Sequence, residues 1–147
     1  MFAINVEGAV VKGSKWLVIE RGVEEEHAAG TLAFVGGTVE NEGFSQDILE
    51  RTVRREIFEE VGIEIQEKLH FVYSSSFMTE EGIPVINVVF LCEYAQGTPY
   101  RKSENEVEAV YWMTTEEISD HPKSPPWTIE SARRADQMLK QLQAEHL

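Results

Sequence analysis

The stretch Arg55-Glu56-Ile57-Phe58-Glu59-Glu60-Val61-Gly62 packs three carboxylates and a guanidinium into eight residues. Its surroundings read as helical, because Leu49, Val53, Ile57 and Val61 recur every fourth residue. At about 100° per residue, Glu56 and Glu60 lie within about 40° of each other, and Glu59 is assigned to the same sector beside the apolar stripe. Like charges at this spacing repel, and the C-terminal half of a helix disfavours anions. Local propensity does not select such an arrangement. A hard divalent cation would compensate the repulsion; Mg2+, with Mn2+ as substitute, bridging substrate phosphates is the natural candidate. Such an ion orients a diphosphate and acidifies a bound water. A solvated acidic face on an amphipathic helix gives the same pattern without an ion, so the helix alone leaves both readings open.

The flanking segments must position this cluster. Phe2–Val11 and Lys15–Arg21 read as strands joined by a turn at Lys12-Gly13-Ser14. Thr31–Val35 reads as a third strand, closed by a tight turn at Gly36-Gly37, and the intervening Gly22–Gly30, with Glu24-Glu25-Glu26, as a solvated loop. The helix is expected from about Phe44 to Val61, with Ser45 as N-cap and Gly62 as C-cap. His70–Phe77 and Pro84–Tyr94 look like an antiparallel pair, and Glu106–Met113 like a further strand. Thr114 or Thr115 caps a short turn through Glu116-Glu117-Ile118. A last helix opens at Ser124-Pro125-Pro126, with Ala132, Ala135, Leu139 and Leu142 on one apolar face. Strands early and late, with helices in the middle and at the end, predict a mixed sheet covered on both faces, in one domain over residues 1–147.

Composition narrows the partners. The chain has 147 residues, 42% of them hydrophobic, and no apolar run long enough to span a bilayer. Its start lacks a basic region ahead of an apolar stretch, so a cytoplasmic location is expected, with no membrane partner. A formal net charge of −13 argues against a nucleic-acid polymer, which requires Lys and Arg against its phosphates. A small phosphate ester remains compatible if cations sit between the charges. The single cysteine, Cys92, sits in the apolar run Val88–Cys92 and reads as a core thiol. The four histidines show no ligand spacing.

The intact run from Arg55 to Ile63 resembles the second half of the Nudix hydrolase signature: Arg-Glu, an aliphatic residue, any residue, Glu-Glu, any residue, Gly, an aliphatic residue. The first half is modified. With seven residues between it and Arg55, Asp47 stands in place of the signature Glu, and nine rather than five residues separate it from Gly37. A four-residue insertion within Thr38–Phe44 accounts for the spacing, and loops tolerate insertions at small entropic cost. Leu17–Arg21, Phe34–Gly37 with Val35 in place of a frequent Pro, and Glu106–Trp112 extend the resemblance over most of the chain.

The resemblance implies an α/β/α sandwich around a mixed sheet. It implies Glu59, Glu60 and the Gly37 carbonyl as metal ligands, and Glu56 as a ligand or the base that deprotonates water. Arg55 would be held by Asp47 in a structural ion pair. Glu106, with Glu104 in reserve, is the candidate base from outside the helix, and an acidic strand face is the bland alternative. Arg21 and Glu40 are the candidates to meet substrate, while Phe34, Tyr73, Phe77, Phe90 and Trp127 either stack on a base or fill the core. The implied activity is metal-dependent hydrolysis of a diphosphate linkage, foremost in a nucleoside triphosphate, giving monophosphate and pyrophosphate. ADP-ribose, a nucleotide sugar or a dinucleoside polyphosphate is the enzymatic alternative, and a nucleotide sensor without catalysis the alternative of another class. The apolar strand pair and the last helix could supply a homodimer surface.

Overall fold

The structure, a computed structural model, describes residues 1–25 and 27–145. Glu26, one of the three glutamates read into the solvated loop, and residues 146–147 of the expected domain lie outside the described residues.

Strands β1 (Ala3–Lys12) and β2 (Lys15–Arg21) form the expected hairpin. Its turn needs a left-handed residue, and Gly13 supplies it at φ 65°. The expected third strand divides into β3 (Leu32–Ala33), paired with β2, and β4 (Val35–Thr38), paired with β1. Gly36 and Gly37 therefore do not make a tight turn. They are strand residues opposite Glu7 and Val6. Helix α1 (Ile48–Val61) follows a loop, then β5 (Glu64–Met78) and β6 (Pro84–Gln96) form the long antiparallel pair. Strand β7 (Val107–Met113) returns beside β2, and the chain ends with α2 (Thr115–Asp120) and α3 (Pro126–Glu145). Because β1 runs parallel to β6 and antiparallel to its other partners, the seven-stranded sheet is mixed.

Alternation along the strands divides the core into two layers. Val6 and Val10 of β1 pack with Val53, Ile57 and Val61 of α1 on one face. Ala9 and Val11 pack with Ala132 and Ala135 of α3, and with Ile118 of α2, on the other. The α/β/α sandwich is thus observed, and the every-fourth-residue stripe is what anchors α1. Cys92 is fully buried in the first layer, and burial pushes its thiol up to about 12, which removes it as a nucleophile. No helix among the described residues is long and apolar enough to cross a membrane.

Two helix starts test the capping rules. Thr114 caps α2 as expected: its hydroxyl accepts from the Glu117 N–H at 3.1 Å, and the Glu117 carboxylate accepts from the Thr114 N–H at 3.0 Å. Thr114→Ala should therefore lower stability by about 1 kcal/mol, read by urea denaturation, with no effect on turnover. Helix α1 differs from expectation. It starts at Ile48 rather than near Phe44, and Asp47, not Ser45, is its N-cap. The left-handed backbone of Asp47 at φ 56° breaks helical continuity with the residues before it. At the other end Gly62 is the expected left-handed C-cap at φ 74°, its N–H donating to the Phe58 carbonyl at 3.0 Å.

Candidate active site

With Val53, Ile57 and Val61 sunk in the core, helical geometry turns Glu56 and Glu60 toward β4 and the neighbouring end of β7. Glu60 is only 4% exposed, and its Oε2 is buried without a hydrogen-bond partner. Gly37 gives Glu56 its place. A Cβ at that position would stand 2.6 and 2.7 Å from the two Glu56 carboxylate oxygens. Gly36 has a separate reason: its Cβ would press on the Val6 carbonyl and lie 2.8 Å from the Glu7 Cα. Both glycines serve close approach rather than turning.

Glu106 arrives from the turn before β7. The Lys102 and Ser103 N–H groups donate to the Glu60 carbonyl at 3.1 and 3.2 Å, tying this segment to the end of α1. On the other side the Gly22 N–H donates to the Glu106 carbonyl at 2.9 Å, in a contact with Asn105 that leaves no room for a side chain at Gly22. Carboxylate oxygens of Glu56, Glu60 and Glu106 consequently lie within 4.8 Å of one another. They line a cleft of about 290 Å³, together with Asn5, Glu7, Arg21, Glu25, Phe34, Gly36, Gly37 and Thr38.

The electrostatics follow from this crowding. Burial first, then the hydrogen bond to Glu56 and the charges of Glu106 and Glu56, push the Glu60 carboxyl far above the usual range, with Arg21 opposing. Glu56 is raised chiefly by burial, against the Glu60 hydrogen bond and Arg55. Glu106 is raised by burial and by the charges of Glu25 and Glu59, with Arg21 opposing. A buried carboxylate oxygen with no donor, inside a converging set of oxygens, is what a hard divalent cation would complete. The residues present fit such an ion.

Not every expected residue joins the cluster. Glu59 is exposed, because one helical step of about 100° carries it away from Glu60, although its charge still reaches Glu56 and Glu106. Asp47 does not hold Arg55. Seven residues lie between them, and the eight helical steps from one to the other span about 12 Å along the axis, beyond the reach of a short side chain. Arg55 is instead met by Glu40 and Glu42 of the loop, each at 3.6 Å, and by Glu56 at 3.4 Å. Glu42 also pairs with Arg51 at 3.3 Å, so the long loop is fastened to α1. Glu40 is 71% exposed and borders a separate surface depression over residues 40–46. Glu104 is exposed and outside the cleft.

Arg21 lines the cleft, but its guanidinium holds the following loop through the His27 carbonyl at 3.0 Å and Glu25 at 3.1 Å. Of the aromatics, Phe34 and Phe90 are buried, and the Tyr73 hydroxyl is hydrogen-bonded with that of Ser131 at 2.7 Å. Phe77 and Trp127 are exposed and stack with His27, at 5.2 and 6.4 Å between ring centroids. Sequence reasoning missed Asn5, Glu7 and Asn87. The signal was present as isolated polar residues inside otherwise apolar strands, which the reading of strand composition averaged away.

The comparisons with known proteins agree with this geometry. The family model described as NUDIX domain matches residues 3–135. Among solved structures, a MutT NUDIX hydrolase from Burkholderia pseudomallei is 23% identical with a TM-score of 0.75, the match covering 91% of this chain and 98% of that one. A MutT protein from Methanosarcina mazei Go1 is 21% identical with a TM-score of 0.77, covering 95% and 96%. The NUDIX domain of Shewanella oneidensis NrtR, complexed with ADP ribose, is 14% identical with a TM-score of 0.74, covering 95% and 89%. A search of curated proteins returns no match. With nearly the whole length matched by one family model, and the acidic helix seated where a cation and a phosphate chain can meet it, the chain belongs to the NUDIX family, as a hydrolase of pyrophosphate bonds.

Proposed function

We propose that the cleft hydrolyses a nucleoside triphosphate to the monophosphate and pyrophosphate, with Mg2+, or Mn2+ in its place, as cofactor. The observation that carries this reading is the convergence of Glu56, Glu60 and Glu106 within 4.8 Å around the unpartnered Glu60 Oε2. Glu56, Glu60 and the Gly37 carbonyl would hold the ion, with Glu59 at the rim as a further carboxylate. When bound, the ion supplies charge neutralisation on the phosphate chain and acidification of water.

The chain's own residues do the rest. Glu106, the most exposed of the three and raised by burial and by Glu25 and Glu59, accepts the proton of the attacking water. Arg55 sets the direction of Glu56 through their 3.4 Å contact, while Glu40 and Glu42 hold Arg55. Arg21 offers a positive charge inside the cleft, where the substrate phosphates would exchange for Glu25.

The test is a panel of nucleoside triphosphates, ADP-ribose, nucleotide sugars and dinucleoside polyphosphates, incubated with Mg2+ and separated by chromatography. Triphosphates should be cleaved fastest, yielding pyrophosphate, and excess chelator should stop turnover until Mg2+ is restored. Faster cleavage of ADP-ribose or a nucleotide sugar would overturn the substrate assignment. Turnover persisting in chelator would overturn the mechanism, and tight nucleotide binding without turnover would identify a sensor.

A further inference from the structure

We infer that Asn5, Asn87 and Glu7 form a recognition edge for the base of the substrate, built to accept hydrogen bonds from a guanine-type pairing edge. The inference rests on the nucleotide reading above.

Asn5 and Asn87 are register partners in the parallel pair of β1 and β6. Glu7 lies two residues along β1, and the same face continues into the apolar layer through Ala9 and Val11 on β1 and Val89 and Leu91 on β6. Polar side chains here interrupt a face that is otherwise core, and Asn87 is only 7% exposed. Such groups must be hydrogen-bonded, and they are bonded in a directed chain. The Asn5 amide donates from Nδ2 to Asn87 Oδ1 at 2.7 Å, and Asn87 Nδ2 donates to Glu7 Oε1.

The chain has one consistent direction. A carboxylate attracts the amino side of Asn87, which leaves the Asn87 carbonyl to attract the amino side of Asn5. The Asn5 Oδ1 and the second Glu7 oxygen then have no protein donor among the described residues, and Asn5 and Glu7 both line the cleft beside Phe34. None of the three belongs to the converging carboxylate group. The cleft therefore has two functions side by side: oxygens that gather charge, and amide and carboxylate acceptors fixed in direction.

Fixed acceptors select a donor edge. Guanine offers a ring N–H next to an amino group, which a carboxylate can accept together. Uracil flanks its single N–H with two carbonyls, which would face Asn5 and Glu7 oxygen to oxygen. Hypoxanthine keeps the N–H and lacks the amino group. Burial raises the Glu7 carboxyl above its usual range, with the Asn87 hydrogen bond and Arg21 opposing, and donors from the base would act with those two toward the ionised form. A site whose acceptors are left unpaired by the wrong ligand discriminates strongly.

The experiment measures kcat/KM for guanosine, inosine and uridine triphosphates with Mg2+, in wild type, Glu7→Gln and Asn5→Ala. Guanosine should be preferred over inosine and uridine in wild type. Each variant should lower the guanosine-to-uridine ratio by about tenfold to a hundredfold, mainly through KM. Calorimetric binding of guanosine and uridine monophosphates provides a readout independent of turnover, with guanosine bound more tightly only when Asn5 and Glu7 are intact. A ratio unchanged in both variants, or a wild-type preference for uridine, would overturn the inference. Preferential binding of guanosine monophosphate without triphosphate cleavage would support the recognition edge while rejecting the proposed activity.

Discussion

Glu60→Gln is expected to lower kcat by about a thousandfold and, in the absence of metal, to make the protein more stable. The expected loss follows from the proposed role of Glu60 as an anionic ligand in a site that would work by neutralising phosphate charge, a contribution of several kcal/mol. The gain has the opposite origin. The Glu60 carboxyl is 4% exposed, has an oxygen without a donor, and is crowded by Glu56 and Glu106. Its proton is held more tightly in the folded state than in the unfolded chain. Its favourable contribution is thus fully present below the ordinary carboxylate value of 4.5, and is lost as pH rises toward the raised folded value. Glutamine keeps the shape and does not titrate. Denaturation in chelator should show Glu60→Gln more stable than wild type by on the order of 1–3 kcal/mol at pH 7, with the difference shrinking toward pH 4.5. Added Mg2+ should stabilise wild type and leave the variant nearly unmoved. Wild-type activity in the variant, or lower stability in chelator at pH 7, would be incompatible with this site.

Gly37→Ala should lower activity by about a hundredfold while leaving the fold within about 1 kcal/mol of wild type. The added methyl meets the Glu56 carboxylate, the free end of a flexible side chain, which can swing aside at the expense of its position. A displacement of about 1 Å at a reacting group is worth a factor of this size. Gly36→Ala is the contrasting variant, because its methyl meets backbone atoms of Val6 and Glu7, which cannot move without parting β1 from β4. That substitution should lower stability by about 2 kcal/mol or more. Parallel measurement of turnover and urea midpoint separates the two: a Gly37→Ala protein that is fully active, or as unstable as Gly36→Ala, would remove Gly37 from the site.

The elements that sequence reasoning placed well are those carried by periodicity. Val53, Ile57 and Val61 marked the buried side of α1, Ala132 and Ala135 that of α3, and Gly62 the helix end. Misplaced features depended on backbone geometry that composition does not encode. The left-handed Asp47 moved the helix start past Ser45, and the paired glycines proved to be strand residues. The site was legible in its helical half, since Glu56 and Glu60 share a face by arithmetic alone. In its other half Glu106 was named through the family resemblance, but what brings it to the cluster, the docking of the segment before β7 on the Glu60 carbonyl, lies in tertiary structure. The same limit hid Asn5 and Asn87, whose meeting depends on the register of two strands far apart in sequence.

The lining of the cleft also determines what can enter it. Glu7, Glu25, Glu56, Glu60 and Glu106 face inward against the single guanidinium of Arg21. Even with Glu60 holding its proton in the absence of a cation, carboxylates outnumber the guanidinium, so this wall would oppose a bare polyphosphate and favour one already carrying divalent cations. The cleft would thereby act as a charge filter that sets the order of arrival. For the proposed nucleotide substrate, the ratio of metal to nucleotide in solution, rather than nucleotide alone, would govern how often the site is filled.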